Sequence, residues 1–415
     1  MWTRKAIVLT GAASALLAAG IAARSAGALG AGLTLLAFVV VNRLLFRGSA
    51  EISSAREVDL KRVYESESTH VQLRLENPGN RLLFLEVRDR LPRQLKVESG
   101  AAYDFVALPA GAVDELKYEV RAPLLGVYEV GPTDLRLEDP FGLFYEERAT
   151  EGSDTLWVLP RREDLRKAQL ESRLPMPLMG DHQVNRPGDG FDFFALREYV
   201  PGDTLRSVNW KASARTGKMM VNQMMRTTAA EVTIFVDGRA ITAAGREDES
   251  ARVMIARTVA SFTEFVFVRK DQPRLYIYSD HVREIEPQPP ERMIPYTLET
   301  LAELQPKGNF PVRLAMSQAL PSLKPMTPCI FITSALDDDT LVEAVSTLLA
   351  NNMQVAVVSP RPHSLPGVEG ELARALLAER ETVLREVGGL GAVVIELDPG
   401  ASLAATMEKG RLLVA

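Results

Sequence analysis

Two apolar runs at the start of the chain constrain its fold more than any other feature. Ala6 to Ala23 and Ala26 to Val41 contain apolar and small residues with no charge among them. Each is about the length that crosses a hydrocarbon core when tilt is allowed. Only Arg24 and Ser25 lie between them, which leaves room for a tight turn and predicts an antiparallel helical hairpin. Gly11, Ala15 and Ala19 recur at four-residue spacing, a small-residue stripe that allows close helix packing. Basic residues lie mainly outside the runs: Arg4 and Lys5 before them, and Arg43, Arg47, Arg56, Lys61 and Arg62 after. The positive-inside rule then places both ends, and everything after Phe46, in the cytoplasm. The expectation is a multi-pass protein of the cell inner membrane. A cleaved signal peptide is the alternative, with Ala22, Ala26 and Ala28 as small-residue cleavage options. Against it, the first run is long for a signal core and the second follows at once.

The remaining residues are ordinary for a globular body. In 415 residues, 46% are hydrophobic and 25% charged, enough for two or three domains. A net charge of -6 makes the whole protein a poor match for nucleic acid. The single cysteine, Cys329, excludes an intrachain disulfide. Four histidines (His70, His182, His281 and His363) are isolated, and no cluster has zinc-ligand spacing. There is no Gly-x-Ser-x-Gly elbow and no His-Glu-x-x-His pair. The chain reads as a non-enzyme without a cofactor.

Three regions are expected after the hairpin of residues 1–48. Residues 51–155 alternate apolar and polar at Val71-Gln-Leu-Arg-Leu and Glu115-Leu-Lys-Tyr-Glu-Val. Turn signals separate such runs at Asn77-Pro-Gly-Asn, Ser99-Gly, Pro109-Ala-Gly and Gly131-Pro. This is the pattern of an antiparallel β-sandwich. Asp139-Pro-Phe-Gly-Leu-Phe reads as a corner whose phenylalanines plug the sandwich, with a docking role as the other reading. Residues 231–415 change to an α/β rhythm. Buried-strand runs are expected at Val232 to Val236, Arg274 to Ser279, Cys329 to Thr333, Gln354 to Ser359 and Gly391 to Leu397. Helices are expected over 248–268, 292–304, 312–323, 340–351 and 369–387. Such alternation implies a doubly wound, mostly parallel sheet, with binding at the carboxyl ends of its strands: 237–241, 333–339 and 359–363.

Between these regions, within residues 156–230, lies the densest mixture of turn formers, aromatics and charge: GDGFDFFALREYVPGDTLRSVNWKASAR, from Gly188 to Arg215. Pro201-Gly202 predicts a turn, and Asp203 is placed to cap a short helix from Thr204. Arg206 is expected to pair with Asp203 or Glu198. Trp210 is expected to be buried under that helix, sharing a pocket with Tyr199. Two readings stay open. In one, the arginine–carboxylate pairs lock an insertion in place. In the other, Arg197, Arg206, Lys211 and Arg215 form a positive surface for an acidic segment or a phosphate.

This segment resembles the signature of the domain of unknown function 58 family. The matching residues are Arg197-Glu198-Tyr199, Pro201-Gly202-Asp203, Arg206, Asn209-Trp210-Lys211 and Ser213-Ala-Arg215. The Asp139 corner and the paired N-terminal helices match as well. The resemblance implies a von Willebrand factor A-like C-terminal domain and partnership with a MoxR-like AAA+ ATPase. The function expected from it is a membrane-anchored adaptor for complex assembly or envelope maintenance, acting on an unknown client. The alternative is a hydrolase or ligand-binding protein using the signature cleft. Metal-binding von Willebrand domains carry Asp-x-Ser-x-Ser after the first strand. This chain reads Asp237-Gly-Arg-Ala-Ile, so Arg239 and Ile241 stand in the serine places and the metal site is degenerate. Asp337 to Asp339 read as helix-capping residues.

Overall fold

The computed structural model describes residues 1–46, 51–165, 183–227, 231–243, 250–361 and 371–398, with Leu403 and Thr406. His182 and His363 fall outside the described residues. The chain forms two compact units, Met1–Leu159 and Pro160–Ala415.

Helices α1 (Arg4–Ala22) and α2 (Ala26–Leu45) begin at side-chain caps. Thr3 Oγ1 accepts from the Ala6 amide at 3.3 Å, and Ser25 Oγ accepts from the Ala28 amide at 3.4 Å. Both helices are long and apolar enough to cross a membrane. They meet through a different stripe from the one read in the sequence. Ala6, Ala13 and Gly20 face inward at seven-residue spacing, whereas Gly11, Ala15 and Ala19 are exposed. The approach is tight: a Cβ on Gly20 would lie 2.8 Å from Leu29, and one on Gly32 would lie 2.8 Å from Leu17. A seven-residue repeat keeps one face toward the partner helix better than a strict four-residue one, which drifts around the cylinder.

The sandwich strands are β1 (Ser53–Val58), β2 (Arg62–Tyr64), β3 (Ser68–Glu76), β4 (Leu83–Asp89), β5 (Lys96–Gly100), β6 (Tyr103–Leu108), β7 (Val113–Arg121), β8 (Gly126–Val130), β9 (Thr133–Glu138), β10 (Tyr145–Ala149) and β11 (Asp154–Leu159). They form sheets β1-β3-β7-β5, β10-β9-β4-β6 and β2-β11-β8. The predicted alternation is realised: Val71, Leu73 and Leu75 of β3 share a core with Leu85 and Val87 of β4 and Val120 of β7. β11 carries the unit to Leu159, a little past the expected boundary, because it pairs with β2 and β8.

One polar network crosses this apolar core. Arg56 donates to both Asp89 carboxylate oxygens at 3.0 and 2.5 Å, to Thr133 Oγ1 at 2.8 Å and to the Val130 carbonyl at 3.1 Å. Tyr118 donates to Asp89 at 2.6 Å. Burial, with Asp89 adding to it, pushes the Tyr118 phenol well up. Gly131, at φ +100°, allows this: an added Cβ would stand 2.3 Å from the Arg56 guanidinium.

The Asp139 corner is held from within. Asp139 Oδ1 accepts from the Leu143 and Phe144 amides at 2.5 and 2.6 Å, and Oδ2 accepts from the Phe141 amide at 3.1 Å. Its aromatics do not plug the sandwich as expected. Leu143 and Phe144 are buried in a separate cluster with Ala6 and Val39 of the hairpin. Phe141 stays 56% exposed.

The second unit begins with a two-stranded ribbon, β12 (Gln183–Glu198) and β13 (Met220–Thr227), with helix α3 (Trp210–Thr216) between them. Next come β14 (Glu231–Asp237), α4 (Ala251–Val268), β15 (Gln272–Tyr278), β16 (Val282–Ile285), α5 (Pro290–Glu303), α6 (Val312–Ala319), β17 (Pro328–Ile332), α7 (Leu341–Ala350), β18 (Gln354–Pro360), α8 (Glu371–Gly389) and β19 (Val393–Leu397). These strands form one six-stranded sheet, order β16-β15-β14-β17-β18-β19, parallel except at edge strand β16. Helices α6, α7 and α8 share a core with Phe235, Phe331 and Val357. Phe235 stacks on Tyr276 and Phe331 at 5.6 and 4.6 Å. Cys329 lies in that core, and burial pushes its thiol up to about 12. Helix α4 packs against β14, β15, β17 and β18 apart from this cluster, and α5 packs against α4.

Candidate functional site

The signature segment is a braced turn followed by a short helix. Arg197, on β12, grips Asp203 with two hydrogen bonds of 2.6 Å. Asp203 also accepts from the Val200 amide at 2.9 Å, closing the Pro201-Gly202 turn. The Arg197 guanidinium, helped by that amide, holds the Asp203 carboxyl down at about 2. Asp203 therefore does not cap a helix: the 3₁₀ turn Leu205–Ser207 has no side-chain cap. That turn is too short to offer the predicted Arg206–Asp203 geometry, and Glu198 pairs with Lys218 at 2.5 Å instead.

Helix α3 is fixed by its first and last residues. Asn209 caps it, accepting from the Ala212 amide at 3.0 Å, and donates to Asn222 on β13 at 2.9 Å. Ser213 donates to the Asn209 carbonyl and accepts from the Met220 amide, each at 2.8 Å. Gly217 ends the helix in the left-handed region at φ 69°. Ser213 is thus a scaffold residue that ties α3 to β13. Tyr199 is half-buried, its amide bonded to the Met219 carbonyl at 2.8 Å.

Trp210 corrects the sequence reading most sharply. It is the first residue of α3 and is 65% exposed, as is Leu205. The helix turns Ala212 and Ser213 inward and leaves Trp210 in solvent. Arg206, Lys211 and Arg215 are exposed, and none forms an ion pair among the described residues. Lys211 and Arg215 share a face of α3 by their four-residue spacing. The result is a basic surface that also exposes Trp210 and Leu205.

The carboxyl edge of the sheet differs in kind. Asp237, the last residue of β14, and Arg239 just beyond it have buried side chains. Arg239 donates to both Asp237 oxygens at 3.0 Å, pairs with Asp338 at 3.1 Å and donates to the Asp337 carbonyl at 2.9 Å. Thr333 Oγ1 also donates to Asp237, at 2.8 Å. The loop after β17 takes left-handed conformations at Ala335 and Asp337, and its Leu336 and Asp337 carbonyls accept from Arg239. Of Asp337 to Asp339, read in the sequence as helix-capping residues, Asp338 accepts from Thr340 Oγ1 through one oxygen while the other faces Arg239. Burial pushes the Asp338 carboxyl up to about 6, against the pull of Arg239.

A second buried arginine, unforeseen from sequence, braces the neighbouring strands. Arg380 of α8 donates to the Ser334 carbonyl at 3.0 Å, to Ser359 Oγ at 2.9 Å and to Glu396 at 3.0 Å. Its desolvation lowers its pKa, with Glu396 opposing. A signal for it existed: Arg380 is in helical phase with the core residues Val383, Leu384 and Val387. The crevice expected at these strand ends is therefore occupied by two guanidiniums. Among the described residues no group of three or more His, Cys, Asp or Glu is arranged to hold a metal.

A family model described as "Protein of unknown function DUF58" matches residues 195–383, from the end of β12 into α8. No curated protein matches the chain. Similar solved structures include the FixG-related protein from Vibrio parahaemolyticus. It is 10% identical, with 26% of this chain and 95% of that one covered at a TM-score of 0.19. Native alpha-2-macroglobulin from Escherichia coli is 17% identical, covering 28% of this chain and 18% of that one at a TM-score of 0.25. A CARDB domain from Pyrococcus furiosus is 11% identical, covering 26% and 89% at a TM-score of 0.21. At these scores none bears on fold or function.

Proposed function

We propose that this protein is a membrane-anchored adaptor whose signature surface receives an acidic segment of a MoxR-like AAA+ ATPase on behalf of a client protein. One observation carries the reading. Arg206, Lys211 and Arg215 stand exposed and unpaired among the described residues, beside an exposed Trp210, on a turn and helix that are internally braced. Cations free of intramolecular acids are available to a partner, and a rigid exposed indole is a common anchor at protein interfaces.

The von Willebrand factor A-like reading of the second unit draws on its strand order and its antiparallel edge strand. In that reading the Arg239 guanidinium stands where a divalent cation would sit, so partner binding runs through the signature cations rather than through a shared metal. An inner-membrane location with cytoplasmic soluble domains draws on the two apolar helices and on Arg4, Lys5 and Arg43 at their shared end. A retained hairpin fits better than a cleaved signal, because removing α1 would uncover Leu143 and Phe144. The hydrolase alternative loses ground at Asp203: a carboxylate held near 2 by Arg197 is poorly matched to proton transfer at neutral pH.

The full-length protein, tagged and solubilised from its native membrane, should co-purify with a AAA+ ATPase. Arg206→Glu should reduce that recovery at least tenfold while leaving the adaptor's own yield unchanged. Equal ATPase recovery with both proteins would sink the proposal.

A further inference from the structure

We infer that the Asp139–Phe144 corner is a second membrane contact: it seats in the headgroup layer of the bilayer, with Phe141 at the acyl boundary. The inference rests on the membrane reading of the hairpin. It assigns the sandwich itself, and not only the helices, a lipid-binding surface.

Three observations converge on the same place. First, the corner is joined to the base of the hairpin. The Thr3 amide donates to the Leu143 carbonyl at 2.9 Å and Thr3 Oγ1 donates to the Gly142 carbonyl at 2.8 Å. Trp2 bridges to Phe144 in antiparallel fashion. Second, the depth is appropriate. Phe141 meets Phe38 of α2 edge-on, with ring centroids 5.1 Å apart. Phe38 lies seven residues before the end of α2, or about 10 Å at 1.5 Å per residue. A ring beside it stands about two turns inside the helix terminus, where headgroups give way to acyl chains in a spanning helix.

Third, the chemistry is that of a membrane interface. Trp2 is 48% exposed, Phe38 37% and Phe141 56%, and Leu44 and Leu45 are exposed nearby on α2. Aromatic rings gather at this depth because they are apolar in body and tolerate a polar boundary. Arg4, Lys5 and Arg43 are exposed at the same end of the hairpin and form no ion pair among the described residues. Arg43 lies over the Phe144 ring at 5.8 Å. Lipid phosphates would complete these cations, and the apolar rings beside them would lie against acyl carbon.

Nitroxide accessibility in the reconstituted full chain tests the inference. Cys329, the one native cysteine, is buried and can be replaced in a Cys329→Ala background. Spin labels at Phe141→Cys, Leu33→Cys in α2 and Val97→Cys in β5 are compared in phosphatidylcholine–phosphatidylglycerol vesicles, using oxygen and a nickel chelate as relaxants. The expected result is at least a threefold lower nickel-to-oxygen ratio at residue 141 than at residue 97, with residue 33 lower still. A deep signal at 33 with an aqueous signal at 141 overturns the inference alone. An aqueous signal at 33 overturns the membrane reading and the inference with it.

Discussion

Arg239 shows how one side chain can change the meaning of a loop. An arginine two residues after Asp237 is visible in the sequence, but its consequence is not: the guanidinium folds back and neutralises Asp237 and Asp338 inside the protein. Removing one partner of a buried ion pair strands the other charge without water. Arg239→Met should therefore lower stability by about 3–5 kcal/mol in chemical denaturation. Adding Asp338→Asn should recover part of that loss; if it recovers none, Asp338 is not a true partner. Trp210 carries the opposite lesson. An aromatic at a helix start invites a buried reading, yet the half-buried residues of α3 are Ala212 and Ser213, and Trp210 is left in solvent. Arg197 and Asp203 both stand out in the sequence, but their pairing is not legible there. The competing Arg206 partner looked nearer along the chain, and a ribbon strand brings Arg197 closer in space.

At the scale of elements, periodicity located most of the second unit's strands. Val232 to Val236 and Cys329 to Ile332 are runs that only a strand buried on both faces would carry, and both form parallel pairs. Strand β16 leaves no such run in the sequence, because Val282–Ile285 is four residues long and buries little beyond Ile285. The Asp139 corner was recognised as a corner, but its partner was not, since the hairpin that covers it lies more than a hundred residues earlier. Asp139 satisfies three backbone amides there, two of them buried. Asp139→Ala should cost about 1–3 kcal/mol for the stranded donors. Thermal unfolding of the full-length protein in detergent would register it. An unchanged midpoint would mean that the hairpin alone orders the corner.

Across the whole molecule, two carboxylates give pH responses of opposite sign. Asp338 binds its proton more tightly when folded, at about 6, than in an unfolded chain, at about 3.9. Its contribution to stability is present below the unfolded value and is lost as pH rises from about 4 through 6. Asp203 is held at about 2, so its contribution is present above about 4 and is lost as pH falls toward 2. A denaturation series across pH 2 to 7 should show both windows. Asp338→Asn should remove only the upper one and Asp203→Asn only the lower.

The pairing of Thr3 with Leu143 also sets an order of events during synthesis. The two residues are 140 positions apart, so the seam cannot form until most of the sandwich has left the ribosome. Until then the hairpin must wait with its base unlatched, and the corner must form with Phe144 uncovered. Closing the base of the hairpin is thus a late step, one that needs residues 140 positions downstream, much as a clasp closes only after the strap has been threaded.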